Sequence, residues 1–258
     1  MLFGLIKQAS PVDEDIATWL LDAFSWVLNH ADGQYFREET RLILPSNADF
    51  PGRADSVHGM AELIFGHICR YAGMAHWPVR LAEPGSCGVA AWPTLRIVGR
   101  LRGDGGSVVA EPADALVELG YDPELVGNPE PMIASLAHGL AGVLVAAVPE
   151  PLPGGRENWP YVSEVMAVAM GFGVMLANSA KTMQVRSCAS CGPTSQRTSY
   201  LSEFDITYLL AIFCVLKGIP AKSVSPHLKS HLRGLFKQSI KDISKRGVSL
   251  DSMKLLPA

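Results

Sequence analysis

The chain has 258 residues, of which 48% are apolar and 18% are charged, and its formal net charge is −3. This composition excludes a small scaffold that depends on disulfides or a metal ion, because a chain of this length can bury a sizeable core. We expect one domain over residues 1–258. Within it, residues 1–130 would hold helices and a small sheet, 131–217 a helical core, and 218–258 a basic helix.

The amino-terminal apolar run, Met1 to Ile6, is too short for the core of a signal peptide, and an acidic cluster at 13–15 follows it. The chain has five cysteines, an odd number, and Cys69 and Cys214 fall inside apolar helical patterns. A thiol in such a pattern behaves as a small hydrophobic group, which favours a reducing compartment. These features together predict a cytoplasmic protein.

In the first half of the chain, apolar residues at helical spacing predict an amphipathic helix over 15–30. A second helix is predicted over 54–71, ending at Gly73. Short β-branched runs predict strands, and Gly- and Pro-rich turns between the last three favour a small antiparallel sheet. The predicted strands are 41–45, 77–81, 94–98 and 108–110.

After Pro131 the pattern is helical again, with helices expected near 131–148, 161–178, 202–217 and 226–246. The fold class is therefore α+β, mainly helical with a small antiparallel sheet. The apolar runs 132–148 and 165–177 are shorter than the roughly 20 residues of a membrane span. We expect them to be helices packed inside the protein, with no membrane span.

His138 stands in the middle of an otherwise apolar helix. An imidazole in such a place must find a hydrogen-bond partner or coordinate an ion. The next helix carries Glu157 near its start and Glu164 inside an apolar stripe. The connection from 149 to 160 allows the two helices to form a hairpin, and we expect His138 and Glu164 to face each other in the core.

The stretch from His138 to Gly142 resembles the H-E-x-x-H helix of the zinc metallopeptidases known as zincins. In that family two histidines one turn apart bind zinc, and the glutamate between them is the general base. Here the first histidine position is kept, whereas Gly139 stands at the position of the base and Gly142 at that of the second histidine. Residues 161–180 look like the helix that carries the acidic ligand, for which Glu157 and Glu164 are the candidates.

The resemblance implies a zincin-like helix pair in the core without peptidase activity. One histidine without a base would hold zinc weakly and leave the attacking water without a proton acceptor. We therefore expect a non-catalytic binding or regulatory module with a protein or peptide partner, containing either no cofactor or zinc. Two alternatives stay open: His138 and Glu164 are simply a satisfied buried pair, or the chain is an active zinc-dependent hydrolase.

Cys188 and Cys191 form a C-x-x-C pair in a polar segment, 186–198. Two thiolates at this spacing are half of a tetrahedral zinc site, and the spacing does not identify the other two ligands. An ordinary thiol pair or disulfide and a redox motif are the alternatives. The redox interpretation is the weakest, because no apolar helix follows the pair.

Basic residues recur every four positions along the last predicted helix, beside an apolar stripe. They are Lys229, Arg233, Lys237, Lys241 and Lys245. Residues 217–258 contain 9 Lys and Arg against 2 Asp and Glu, whereas residues 1–216 contain 13 against 23. Such a helix can bind an acidic protein, an anionic membrane or nucleic acid, or it can lie against the acidic body of its own domain. Few aromatic residues accompany the bases, which makes nucleic acid the weaker candidate partner.

Overall fold

A computed structural model of the protein describes residues 11–83, 92–182 and 198–246. The chain is mainly helical with short two-stranded sheets, so the predicted α+β class is confirmed. The helices are α1 Glu14–His30, α2 Gly33–Glu38, α3 Val57–Ala72, α4 Pro129–Ala147, α5 Trp159–Ala167, α6 Gly173–Ser179, α7 Glu203–Leu216, α8 Ala221–Val224 and α9 Ser230–Lys245. The strands are β1 Val79–Leu81, β2 Thr94–Gly99, β3 Gly106–Glu111, β4 Val117–Leu119, β5 Lys181–Thr182 and β6 Thr198–Ser199.

The helix ends follow local sequence signals. The side chain of Asp13 accepts a hydrogen bond from the amide of Asp15 at the start of α1, and that of Ser56 accepts one from Gly59 at the start of α3. Helix α3 ends at Gly73, whose φ of 70° is the left-handed conformation that glycine tolerates best. The two predicted amino-terminal helices are therefore confirmed, whereas the six-residue helix α2 was not predicted.

The strands pair differently from the prediction. Strands β2 and β3 form the expected antiparallel hairpin, with Thr94 opposite Glu111 and Gly99 opposite Gly106. Strand β1 does not join them, because it pairs in parallel with β4, and β5 pairs in parallel with β6. The three residues of β4 form too short a run to be recognised as a strand from their sequence.

The prediction of a strand over 41–45 was wrong. This segment pairs with no strand among the described residues; the amide of Ile43 instead donates a hydrogen bond of 3.0 Å to the carbonyl of Gly171. The next amide, that of Leu44, donates to the carboxylate of Asp49 at 2.9 Å. The apolar run therefore packs against a break in a helix and does not pair with a strand.

That helix is the centre of the fold. A 3₁₀ turn at Arg156–Asn158 leads into α5, a π-helical segment at Val168–Phe172 follows, and α6 completes the run. Every residue from 162 to 178 is buried. Helix α4 packs against α5 and α6, and α7 packs against α6 and α9. The run is broken at Gly171, whose φ of 101° turns its carbonyl away from the helix and towards Ile43.

Two helical runs are long and apolar enough to cross a membrane by length and composition alone. They are Pro129–Ala147, with a mean hydropathy of 1.4, and Arg156–Ser179, with a mean hydropathy of 1.5. Of their most apolar windows, 67% and 89% respectively is buried inside the protein. Their apolar sequences are therefore accounted for by the core, and the two runs are weak indications of a membrane span.

A buried arginine joins the β2–β3 hairpin to the amino-terminal helices. Arg102 is 1% exposed, and its Nε donates to the carbonyl of Ala72 at 2.7 Å while its Nη2 donates to the hydroxyl of Thr40 at 3.2 Å. Its guanidinium carbon lies 4.6 Å from the centre of the Tyr35 ring. Burial lowers the pKa of Arg102 to about 10, partly offset by Tyr35 and Asp32, so the group stays charged at neutral pH.

The two cysteines predicted to act as small hydrophobic groups do so. Cys214 is buried in α7 and Cys69 is partly buried in α3, and neither is in a disulfide. Burial raises the pKa of each thiol to about 12, which keeps both protonated and unreactive.

Substituting Gly171 by alanine should strongly destabilise the protein. An added Cβ would lie 2.1 Å from the carbonyl oxygen of Arg41, at a φ that disfavours any side chain. We expect Gly171→Ala to lower the free energy of unfolding in urea by about 3 kcal/mol or more. Gly218→Ala is the matched control, because Gly218 has a φ of 66° and nothing within 4 Å of the added atom. It should cost about 1 kcal/mol, and equal losses for the two variants would contradict the proposed packing of residues 41–44 in the break.

Candidate functional site

The expected hairpin of α4 and α5 is present, and it places His138 at the edge of the core. The Nε2 atom of His138 lies 3.2 Å from the carbonyl oxygen of Pro160, and the histidine ring lies 5.6 Å from the ring of Tyr200. Because a carbonyl can only accept a hydrogen bond, Nε2 carries the proton. A protonated ring nitrogen cannot bind a metal ion, which leaves only Nδ1 of His138 with that capacity.

Glu164 is fully buried in α5, with 0% of its surface exposed. Its Oε1 accepts hydrogen bonds from the hydroxyl of Ser199 at 2.9 Å and the amide of Tyr200 at 3.3 Å, and its Oε2 accepts one from the amide of Leu201 at 2.7 Å. A buried carboxylate is tolerated when it receives several such bonds. Glu164 therefore fixes the chain immediately before α7.

Residues 199–201 connect the two candidate residues of the hairpin. Tyr200 contacts the ring of His138 with its own ring and donates its backbone amide to Glu164. The Tyr200 ring also contacts Tyr161, which contacts Trp19 in α1. Sequence reasoning missed this series of rings, because its members lie far apart in the chain and none belongs to a motif.

Glu157, the other predicted acidic residue, is exposed in the 3₁₀ turn that precedes α5. Among residues 11–83, 92–182 and 198–246, no group of three or more His, Cys, Asp or Glu side chains could hold a metal ion. The predicted C-x-x-C pair, Cys188 and Cys191, lies outside the described residues.

The space beside Gly142, the position that the sequence analysis compared with the second histidine of zincins, is occupied by a neighbouring side chain. A Cβ added at Gly142 would lie 2.8 Å from the indole ring of Trp159, the first residue of α5. Gly142 therefore permits the close packing of α4 against α5. A histidine at 142 would require Trp159 to move.

The carboxyl-terminal helix α9 has the predicted amphipathic pattern. Leu232, Phe236 and Ile243 are buried. All five predicted basic residues, from Lys229 to Lys245, are exposed. Where one helix was predicted over 226–246, the structure has α8, a 3₁₀ turn at Ser225–His227 and then α9, because Pro226 and the extended Leu228 separate them.

The basic residues of α9 do not lie against acidic side chains of the described structure. None of the five takes part in an ion pair there; the described ion pairs of α9 are His231 with Glu203 and Asp242 with Arg246, the residue that follows the helix. Repulsion between two basic side chains four residues apart on a helix destabilises the helix by roughly a few tenths of a kcal/mol. Within the described part of the chain, the row is thus a positive surface without ion pairs.

A groove of about 640 Å³ lies between α8 and this row. Four cationic side chains line it, namely Lys222, Arg233, Lys237 and Lys241, together with Ala221, Ser225, Pro226 and Ile240. None of the described residues that line the groove is acidic. We call it the basic groove. Two of the predicted basic residues, Lys229 and Lys245, lie outside it.

Comparisons with protein-family models, with curated proteins and with solved structures found no match for this chain.

Neutralising Glu164 should destabilise the protein, since an amide presents one acceptor oxygen where the carboxylate presents two. We expect Glu164→Gln to lower the free energy of unfolding by about 2–3 kcal/mol. Glu157→Gln is the control and should change it by less than about 0.5 kcal/mol, because Glu157 is exposed. Urea denaturation followed by circular dichroism measures both, and a Glu164→Gln variant as stable as the control would show that the three hydrogen bonds contribute little.

Proposed function

We propose that this chain is a non-catalytic binding module that holds an acidic protein partner in the basic groove. The observation that carries the proposal is the row of exposed basic side chains on α9 with no acidic partner among the described residues. Four cations converge on one concave surface there. An acidic partner would relieve the electrostatic repulsion between these cations. Relief of this repulsion contributes favourably to the free energy of binding.

Three features of the α4–α5 hairpin support the non-catalytic part of the proposal. His138 donates from Nε2 to a backbone carbonyl, Glu164 already accepts three hydrogen bonds, and Trp159 occupies the space beside Gly142. In this proposal the hairpin keeps the outline of a zincin helix pair and serves as the core that supports α7 and α9. The same features disfavour the alternative of an active zinc-dependent hydrolase.

Metal analysis tests the non-catalytic proposal. Zinc content and cleavage of a generic peptide substrate are measured for the wild-type protein, for His138→Ala and for the double variant Cys188→Ser/Cys191→Ser. We expect no peptide cleavage and no change in zinc content for His138→Ala. Stoichiometric zinc that is lost only in the cysteine variant would agree with a structural metal. Zinc and peptidase activity lost together in His138→Ala would overturn the proposal.

Charge reversal tests the basic groove. Lys237→Glu/Lys241→Glu reverses two groove residues, and Lys229→Glu/Lys245→Glu reverses two residues of the same row outside the groove. The two variants have equal net charge. Using poly-L-glutamate as the acidic probe at low salt, we expect the groove variant to bind at least about tenfold more weakly than wild type and the control variant less than about threefold.

Two further probes decide the class of partner in the same assay. Vesicles containing anionic phospholipid and duplex DNA are compared with poly-L-glutamate over a salt series. Tighter binding to DNA or vesicles than to the acidic polypeptide, with equal loss in both double variants, would contradict the proposal of a protein partner. Such a result would indicate that the basic row binds polyanions without specificity.

A further inference from the structure

The described residues that line the basic groove all belong to helices. Helices α8 and α9 and the 3₁₀ turn between them supply its lining residues, and the hydroxyl of Ser225 is already donated to the carbonyl of Ala221. The guanidinium of Arg233 donates to the carbonyls of Leu228 and Pro226 at 2.8 and 3.2 Å. Among the described residues, the groove therefore offers no strand edge with which an incoming peptide backbone could pair.

This absence restricts the conformation of a bound peptide. An extended segment lying in the groove would leave the backbone amides and carbonyls that face it unpaired, at a cost of about 1–3 kcal/mol for each buried group. A helix satisfies these groups within itself and presents only side chains. A helical occupant is thus favoured over an extended one.

The spacing of the cations suits the same occupant. Arg233, Lys237 and Lys241 are four residues apart on α9, so their positions along the axis are about 6 Å apart and span about 12 Å. Acidic residues four apart on a partner helix have the same spacing. A partner of two to three turns would place one carboxylate near each cation. The Arg233 guanidinium is already held in place, so less conformational entropy is lost when it binds.

Three of the described residues that line the groove, Ala221, Pro226 and Ile240, are apolar. An apolar stripe beside the acidic residues of a partner helix would cover them. A membrane surface fits less well, because Leu232, Phe236 and Ile243 of α9 are already buried in the protein and are not available for insertion.

We infer that the occupant of the basic groove is an amphipathic helix of a partner protein, with acidic residues at a spacing of four beside an apolar stripe. This inference rests on the proposed function and specifies the partner's conformation.

Two labelled peptides of identical composition test it. Both are about four helical turns long. One places Glu and Leu at helical spacing on adjacent faces, and the other alternates the same residues with a period of two, so that it is amphipathic only as an extended strand. Fluorescence anisotropy measures their affinity for the full-length protein, for Lys237→Glu/Lys241→Glu and for the control Lys229→Glu/Lys245→Glu.

We expect the helical-spacing peptide to bind the wild-type protein at least about tenfold more tightly than its permutation, and to gain helical circular dichroism on binding. That preference should disappear in the groove variant and persist in the control. Equal affinity for the two peptides, with loss in the groove variant, would overturn the helical occupant while leaving an acidic partner in place. No groove-dependent binding of either peptide would overturn both this inference and the proposed function.

Discussion

Burial of the helical run Arg156–Ser179 is the constraint on which the rest of the structure depends. A helix surrounded by protein over residues 162–178 must have an apolar neighbour on every side, and α1, α3, α4 and α7 supply them. The exceptions to its apolar character need partners of their own. Glu164 is satisfied by residues 199–201, and the carbonyl of Gly171 is satisfied by Ile43.

The same constraint limits what the hairpin can do chemically. Close approach of α4 to α5 requires Gly142 beneath the indole of Trp159, which removes the space for a second histidine. The hydrogen bonds that make Glu164 tolerable in the core also occupy its carboxylate oxygens. Close packing of the helix pair and a histidine at position 142 therefore make opposing demands on the same space.

Function in this proposal lies at the other end of the chain. Helix α9 is fixed to the core by Leu232, Phe236 and Ile243, and a hydrogen bond of 2.7 Å from Tyr208 to Asp242 ties it to α7. These contacts hold the apolar face of the helix towards the core and leave the basic row facing outwards. The basic side chains from Lys229 to Lys245 are consequently presented to solvent beside an anchored apolar face.

The sequence by itself determined the α+β class, most of the helices and the amphipathic pattern of α9, because apolar periodicity and capping residues are local signals. It also identified His138 and Glu164 as polar residues in apolar helices that needed partners. Only the tertiary structure decided their partners. Helix packing brings the carbonyl of Pro160 to His138 and residues 199–201 to Glu164. The wrong strand at 41–45 and the pairing of β1 with β4 have the same explanation. Each depends on contacts between residues distant in sequence, for which local periodicity carries no signal. The basic groove depends instead on the turn between α8 and α9, where a single helix was predicted.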